Sequence, residues 1–189
     1  MSTTSRYGYN PNPKQPNTFN AVILDTANDD GGIHSKFKQP AGARLARAAL
    51  AQVYGTSVTV AAGPSVKSVV ALLPKGGGDG TATITLNNAG AGIAMHTDGR
   101  RGFEVLLPSN NTWVSVPVAS HTADTVTVGS IPSTATRLRY LWYANACGIA
   151  ALYACPVYVT VSPLQGGLSG EEDFLPLGPF VADLLLRRD

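Results

Sequence analysis

The stretch Thr81-Ala82-Thr83-Ile84-Thr85-Leu86 alternates polar and apolar side chains through six residues. Successive side chains of a β-strand point to opposite faces, so the pattern predicts a strand with one buried and one exposed face. Similar short runs occur on both sides of it, separated by turn-rich pieces. They are residues 57–61, 103–107, 113–118, 125–128 and 138–143. Several short strands joined by regular turns indicate an antiparallel β-sandwich or barrel.

The composition agrees with this class and excludes others. Of the 189 residues, 20 are glycine and 13 are proline, which suits many turns rather than a helical bundle. Charged residues make up 14% and the net charge is +2, so the chain has no basic stripe and nucleic acid is not an expected partner. No apolar run approaches the roughly 20 residues that a membrane-spanning helix needs, so no membrane span is expected.

The N-terminal part has a different pattern. The apolar run at residues 21–24 predicts a short strand that is buried on both faces, as in an α/β sheet. A helix is predicted over residues 40–54, because Pro40 suits a first turn and Gly55 is a stop signal. Its predicted buried face carries apolar side chains spaced by helical turns. These are Leu45, Ala49 and Val53, with Leu50 and Tyr54 beside them.

The loop between this predicted strand and helix carries a histidine and three aspartates. They are His34, Asp25, Asp29 and Asp30. Loops that follow a strand of an α/β sheet commonly hold functional groups. One of the carboxylates could orient the imidazole and stabilise the imidazolium that forms when it takes a proton from a nucleophile. A solvated surface histidine has the same spacing, so the spacing alone leaves both interpretations open.

Segments along almost the whole chain carry a recognisable family pattern. They are residues 7–19, Ile33-His34, Lys38-Gln39, Arg44-Leu45-Ala46, Ala49-Leu50-Ala51, Tyr54-Gly55, Gly102-Phe103-Glu104-Val105, Arg139-Tyr140-Leu141-Trp142, Cys147, Cys155-Pro156-Val157-Tyr158 and residues 175–180. In this order they resemble the C-terminal part of the sialate O-acetylesterase family, which are serine esterases of the SGNH type. Each match is short, and together they are specific.

The resemblance implies hydrolysis of O-acetyl esters on sialic acid or a related acetylated sugar. In such enzymes a serine attacks the acetyl carbonyl, a histidine is the general base, and fixed donors hold the oxyanion. Carried over by position, His34 is the general base. The acid remains open among Asp25, Asp29 and Asp30, because Gly31 stands where many SGNH enzymes carry an aspartate. The mechanism needs no cofactor or metal.

The family's serine block, a Gly-Asp-Ser-type segment, has no counterpart in this sequence. Ser169, in Gly-Gly-Leu-Ser-Gly, lacks the strand–turn–helix context of a nucleophile elbow. We therefore expect the chain alone to be inactive and to need an upstream esterase segment or a partner chain. Two alternatives stay open: a non-catalytic carbohydrate-binding or scaffold module, and a structural subunit derived from the esterase.

The predicted organisation has three parts and is β-dominated overall. Residues 1–55 form an α/β remnant, the C-terminal strand–loop–helix unit of the SGNH esterase domain. Residues 56–163 form an antiparallel β-sandwich-like domain. Residues 164–189 form a tail that packs back.

Three further features leave alternatives open. Cys147 and Cys155 either form a disulfide, which the secreted or lysosomal setting implied by the family permits, or remain reduced thiols. Residues 1–15 lack the apolar stretch of a secretory signal, so the compartment stays open. The aromatic side chains near the C-terminal strands suit either a sugar-stacking platform or inter-strand packing. These are Trp113, Tyr140, Trp142 and Tyr143.

Overall fold

The computed structural model describes residues 14, 18–28, 30, 32–58, 60–96, 102–144, 146–147, 152–161 and 174–188. Over these residues it contains one helix and twelve strands. The helix is α1 (Lys38–Gln52). The strands are β1 (Ser65–Leu73), β2 (Gly80–Asn87), β3 (Ile93–Met95), β4 (Phe103–Leu107), β5 (Thr112–Val116), β6 (Val118–His121), β7 (Thr125–Ile131), β8 (Arg137–Tyr140), β9 (Val157–Thr160), β10 (Phe174–Pro176), β11 (Phe180–Asp183) and β12 (Leu185–Arg188).

Two larger sheets form a β-sandwich. One has the strand order β12-β1-β2-β7-β6 and the other has the order β11-β8-β4-β5. Their inward side chains share one apolar core, to which the first sheet contributes Ile84 and Val126 and the second contributes Phe103, Val105 and Leu138. The prediction of a β-dominated, sandwich-like architecture is confirmed. One pairing departs from it, because β12 runs parallel to β1.

A third, smaller sheet has the strand order β10-β9-β3. It has a core of its own, made of Val159, Val161 and Leu175, against which Val60 packs. Val60 belongs to the segment between α1 and β1, so this small core joins the N-terminal part of the chain to the strands near its C-terminus.

Most predicted strands occur at the expected places. Residues 113–118 form two strands, β5 and β6, because Pro117 lies between them and has no N–H to donate to a ladder. The strand predicted over residues 57–61 is wrong for the part of that run that the structure describes, since none of those residues lies in a strand. Strand β1 was not predicted, because a register shift between Val66 and Ser68 interrupts its alternation.

The C-terminal segment contributes strands to all three sheets. Strand β10 pairs with β9, β11 pairs with β8, and β12 pairs with β1. These pairings join the described C-terminal strands to the rest of the β-rich part. The three-part division of the chain stays a prediction.

The predicted strand at residues 21–24 is wrong. These residues lie outside any strand, and a turn follows in which Thr26 donates from its backbone N–H to the Ile23 carbonyl oxygen over 3.2 Å. A strand needs a neighbouring strand to accept its ladder of hydrogen bonds, and no described strand pairs with this run. The predicted helix is confirmed with bounds shifted by two residues towards the N-terminus. No helix in the described part of the chain is long and apolar enough to cross a membrane.

Candidate functional site

His34 lies on an exposed loop just before α1. Its neighbour Ile33 is 93% exposed, so the loop presents both side chains to the surface. Local hydrogen bonds shape the turn on the helix side: the Phe37 backbone N–H donates to Ser35 Oγ over 3.0 Å. The imidazole therefore lies on a short structured loop that leads into α1.

The three aspartates of this loop have different surroundings. Asp30 is exposed, and its Oδ1 accepts hydrogen bonds from the Asn28 Nδ2 group and the Gly32 backbone N–H, each over 2.7 Å. Asp25 is buried. Asp29 lies outside the described residues. Asp30 and His34 are thus on the same exposed loop, while Asp25 lies at its buried beginning.

Asp25 and Arg44 form a buried ion pair. Arg44 donates from its two Nη groups to Oδ1 over 2.6 Å and to Oδ2 over 2.8 Å, which is a bidentate arrangement. The side chains of Arg44 and Asp25 are 6% and 0% exposed. Arg44 also donates to the Val22 carbonyl oxygen over 2.8 Å. This pair ties the start of the histidine loop to the middle of α1.

Tyr158 connects this pair to the β-rich part. Its hydroxyl donates to Asp25 Oδ2 over 3.1 Å and accepts a hydrogen bond from the Cys155 backbone N–H over 3.0 Å. Burial of the ring, and then the adjacent Asp25 carboxylate, raise the pKa of Tyr158, so its hydroxyl stays protonated as a donor. We call Asp25, Arg44 and Tyr158 the anchor. It holds the histidine loop and α1 against strand β9.

The buried side of α1 is the opposite of the predicted one. The buried residues are Pro40, Arg44, Arg47 and Ala48, which recur at helical spacing on one face. Leu45 is exposed, Val53 is 61% exposed and Tyr54 is 75% exposed. The prediction of a buried Leu45–Val53 face is wrong, because α1 docks through its arginines, whose charges are satisfied by Asp25 and by backbone carbonyl oxygens.

One buried polar atom near the loop has no partner in the described part of the chain. Asn28 is 7% exposed, and its Oδ1 has no hydrogen-bond partner among the described residues. Its amide orientation is determined by Asp30, because the carboxylate Oδ1 must accept a bond from an N–H group. A buried acceptor without a donor costs about 1–3 kcal/mol. The described part of this chain therefore does not provide a hydrogen-bond partner for every buried polar atom of the loop.

Cys147 and Cys155 form a disulfide, with their Cα atoms 4.5 Å apart. The bond joins the segment after β8 to the residue whose backbone N–H donates to Tyr158. Among the described residues, no group of three or more His, Cys, Asp or Glu side chains could hold a metal ion. Ser169 lies outside the described residues.

Comparisons with known proteins agree with this architecture. A family model described as "Sialate O-acetylesterase C-terminal domain" matches residues 77–184, more than half of the chain. The chain belongs to the sialate O-acetylesterase family. The resemblance inferred from the short segments is thereby confirmed.

Curated relatives extend the match beyond the sandwich. The human sialate O-acetylesterase is 30% identical over 186 residues, which is 95% of this chain and 32% of the human protein. The mouse sialate O-acetylesterase is 29% identical over 188 residues, covering 96% of this chain and 31% of its own length. Alignments of this coverage include the histidine loop and α1. The chain spans about a third of the relatives that it matches.

A solved structure shares the fold. It is described as a novel carbohydrate acetylesterase from Xanthomonas citri, and it superposes with a TM-score of 0.60 at 23% identity. The match covers 86% of this chain and 32% of that one. At this identity the comparison establishes the fold, and it agrees with the sequence matches that the chain corresponds to a part of longer family members.

The anchor is the functional feature that the sequence did not reveal. Asp25 and Arg44 are 19 residues apart, and Tyr158 is 133 residues from Asp25. One signal was available: Arg44 and Arg47 lie three residues apart on a helix, on the same face as Pro40 and Ala48. Arginines at that spacing face one side of a helix, and the preceding loop carries three aspartates that are available to pair with them.

Proposed function

We propose that this chain is the C-terminal portion of a sialate O-acetylesterase-like carbohydrate esterase and that it supplies His34 as the general base. The serine nucleophile and the oxyanion donors come from an esterase segment outside this sequence. The observation that carries the proposal is the exposed His34 loop, whose start the buried Asp25–Arg44 pair holds against the rest of the fold. A catalytic triad needs a general-base histidine that is accessible to the serine and held in a fixed position. An exposed imidazole on an anchored loop meets both requirements.

In the proposed reaction His34 carries the proton from the serine hydroxyl to the leaving group. The serine hydroxyl attacks the acetyl carbonyl carbon while His34 takes its proton, and the oxyanion donors hold the negative oxygen. His34 then gives the proton to the departing sugar oxygen, which leaves an acetyl-serine. Water, deprotonated by His34, hydrolyses this ester and releases acetate. The substrate is an O-acetylated sialic acid or a related acetylated sugar.

The aspartates have different surroundings, and we assign them different roles on that basis. Both oxygens of Asp25 accept hydrogen bonds from Arg44, and Tyr158 donates another, so we assign Asp25 to the anchor and not to the triad. Asp30 is exposed on the same loop as His34 and is our candidate for the carboxylate that orients the imidazole. Asp29 is the alternative acid, and the variants below distinguish the two.

Two features support docking of an esterase segment on this part of the chain. Exposed apolar side chains occur at Leu45 of α1, at Val53 and Tyr54 just after it, and at Ile33 beside His34 in the loop. The Asn28 Oδ1 atom needs a donor that the described residues do not provide. An apolar surface beside the catalytic base would be buried when the nucleophile-bearing segment packs there.

The test is reconstitution. The isolated chain should hydrolyse an aryl acetate ester no faster than background, because it lacks a nucleophile. Adding the upstream esterase segment of a family member, in cis or as a second chain, should give deacetylase activity that a serine-directed phosphonate abolishes. In that complex His34→Ala should lower kcat by about three orders of magnitude or more, the scale of losing a triad base.

The matched control is His121→Ala, since His121 is an exposed histidine on β6, and activity should be unchanged. Retention of most activity by His34→Ala would reject His34 as the base. For the acid, Asp30→Asn should lower kcat by up to about four orders of magnitude while Asp29→Asn leaves it nearly unchanged. The opposite result would assign the role to Asp29.

A further inference from the structure

Residues 105–123 contain no Asp, Glu, Lys or Arg, although many of their side chains are exposed. The segment runs from β4 through β5 and β6, with Pro117 between the last two strands. In the described structure β5 is the end strand of the β11-β8-β4-β5 sheet, and β6 is the end strand of the β12-β1-β2-β7-β6 sheet. An uncharged segment therefore forms one edge of each large sheet.

The two edge strands differ in how they are protected. An edge strand presents unpaired N–H and C=O groups to other chains, and proteins usually protect such edges with charged side chains, prolines or bulges. Pro117 precedes β6, and the pairing of β6 with β7 shifts register between Val118 and Ser120. Strand β5, with the sequence Thr-Trp-Val-Ser-Val, has no charge, proline or bulge, and its pairing with β4 is regular. No strand in the described part of the chain covers its open side.

A glycosylation sequon lies in the turn that leads into β5. Asn110-Asn111-Thr112 is the only triplet of the form Asn-x-Ser/Thr in the sequence. All three residues are exposed. Thr112 Oγ1 donates to the Asn110 carbonyl oxygen over 3.2 Å, which holds the first and last residues of the sequon together. Asn111 has a φ of 52°, a conformation that asparagine adopts more readily than most residues, so the sequence suits this tight turn.

The disulfide is a second, independent observation. Cys147 and Cys155 are bonded, and disulfides form and persist in oxidising compartments such as the secretory pathway. Asparagine glycosylation takes place on surface loops of proteins that pass through that pathway. The chain thus combines an exposed acceptor with a covalent bond that is typical of the compartment in which such acceptors are modified.

We propose that Asn110 carries an N-linked glycan that shields the open edge of β5. The donor is a lipid-linked oligosaccharide diphosphate, and the acceptor atom is Asn110 Nδ2. The bond from Nδ2 to C1 of the first sugar forms, the bond from C1 to the diphosphate oxygen breaks, and the amide proton passes to a base of the transferase.

The position of Asn110 suits this role. Strand β5 has five residues and is about 17 Å long, so an oligosaccharide attached at the turn before it lies beside the open strand. The site shares no residue with the histidine loop or the anchor. The inference does not rest on the proposed esterase function.

The direct test uses the protein from its natural source. Digestion with peptide N-glycosidase in heavy-oxygen water converts a glycosylated asparagine into a labelled aspartate. Peptide mass spectrometry should find that label at Asn110. An Asn110 that is unmodified in the natural protein would overturn the proposal.

Variants of the full chain, secreted from a eukaryotic cell, separate the sequon from the fold. The glycosidase should increase the electrophoretic mobility of the unmutated chain. Asn110→Gln removes the acceptor and Thr112→Val removes the sequon hydroxyl at similar side-chain shape, so both should abolish the shift. The control Asn111→Gly keeps the sequon and tolerates the positive φ, so the shift should remain. A shift that persists in Asn110→Gln or in Thr112→Val would reject Asn110 as the site.

Removal of the glycan tests its shielding role. The deglycosylated chain should self-associate at concentrations where the glycosylated chain stays monomeric, as measured by light scattering. Ser115→Lys adds a charge at an exposed position of β5 and should restore the monomer without the glycan. Equal association with and without the glycan, or association that Ser115→Lys does not reduce, would reject the shielding of β5.

Discussion

The β-sandwich and the loop–helix unit (described residues 18–28, 30 and 32–56) differ in how they bury their apolar side chains. In the sandwich, residues such as Ile84, Val105 and Leu138 are completely buried between two sheets of the same chain. In the loop–helix unit, the arginines of α1 face inward and Leu45, Val53 and Tyr54 face outward.

The two regions therefore differ in how much of their apolar surface they bury within the chain. The sandwich encloses its core side chains between two sheets of the same chain, so the stability of that core should be intrinsic. The loop–helix unit is docked by the anchor, a small number of buried polar contacts, and retains an apolar side and the unpaired Asn28 oxygen. A region with few apolar contacts opens locally more readily than a closed core.

Phe103→Ala should be the most damaging change, because it removes a ring that is 1% exposed at the centre of the sandwich and in contact with Tyr140. We expect a loss of about 3–5 kcal/mol in the free energy of unfolding. Chemical denaturation followed by far-UV circular dichroism measures it. A loss below about 1 kcal/mol would contradict a tightly packed sandwich core.

Arg44→Ala should detach the loop–helix unit and leave the sandwich folded. It leaves Asp25 as a buried charge without its partner, at a cost of about 3 kcal/mol. Because the unit can separate, we expect amide exchange in α1 to accelerate strongly while β2 and β4 keep their protection. The control is Arg137→Ala, an exposed arginine paired with Asp183, which should change stability by less than about 1 kcal/mol. Equal loss of protection in α1 and β4 would show that the two regions unfold together.

Tyr158→Phe should weaken the anchor without abolishing it. The change removes a hydroxyl that bonds Asp25 and the Cys155 backbone N–H, and leaves the ring in place. We expect a loss of about 1–3 kcal/mol, seen mainly as faster exchange in α1. Tyr54→Phe, at an exposed position, serves as the control and should be neutral. A neutral Tyr158→Phe would mean that Arg44 alone holds the unit.

Leu45→Gln should have the smallest effect on the isolated chain, because Leu45 is already exposed. We expect a change in the free energy of unfolding within about 0.5 kcal/mol. The same variant should weaken association with the esterase segment, measured by titration of the two parts. A marked loss of stability in the isolated chain would show that Leu45 is buried in solution and would remove the contrast between the two regions.

The alternating pattern predicted those strands in which buried residues alternate with less buried ones. Residues 81–86 and 103–107 are examples, and both lie within observed strands β2 and β4. The pattern failed where the ladder is irregular, as in β1, whose register shift disrupts the alternation. It also failed at residues 21–24, where an apolar run has no described strand to pair with.

The β-dominated class, the helix before the sandwich and the family were predictable from the sequence, because they follow from periodicity and from short motifs along the chain. The buried side of α1 and the place of Asp25 in the anchor were not predictable, because both depend on contacts between distant parts of the chain. Helical spacing shows that a face exists, but not what it packs against. The anchor brings together residues 133 positions apart, and no local pattern encodes a contact that the fold alone creates.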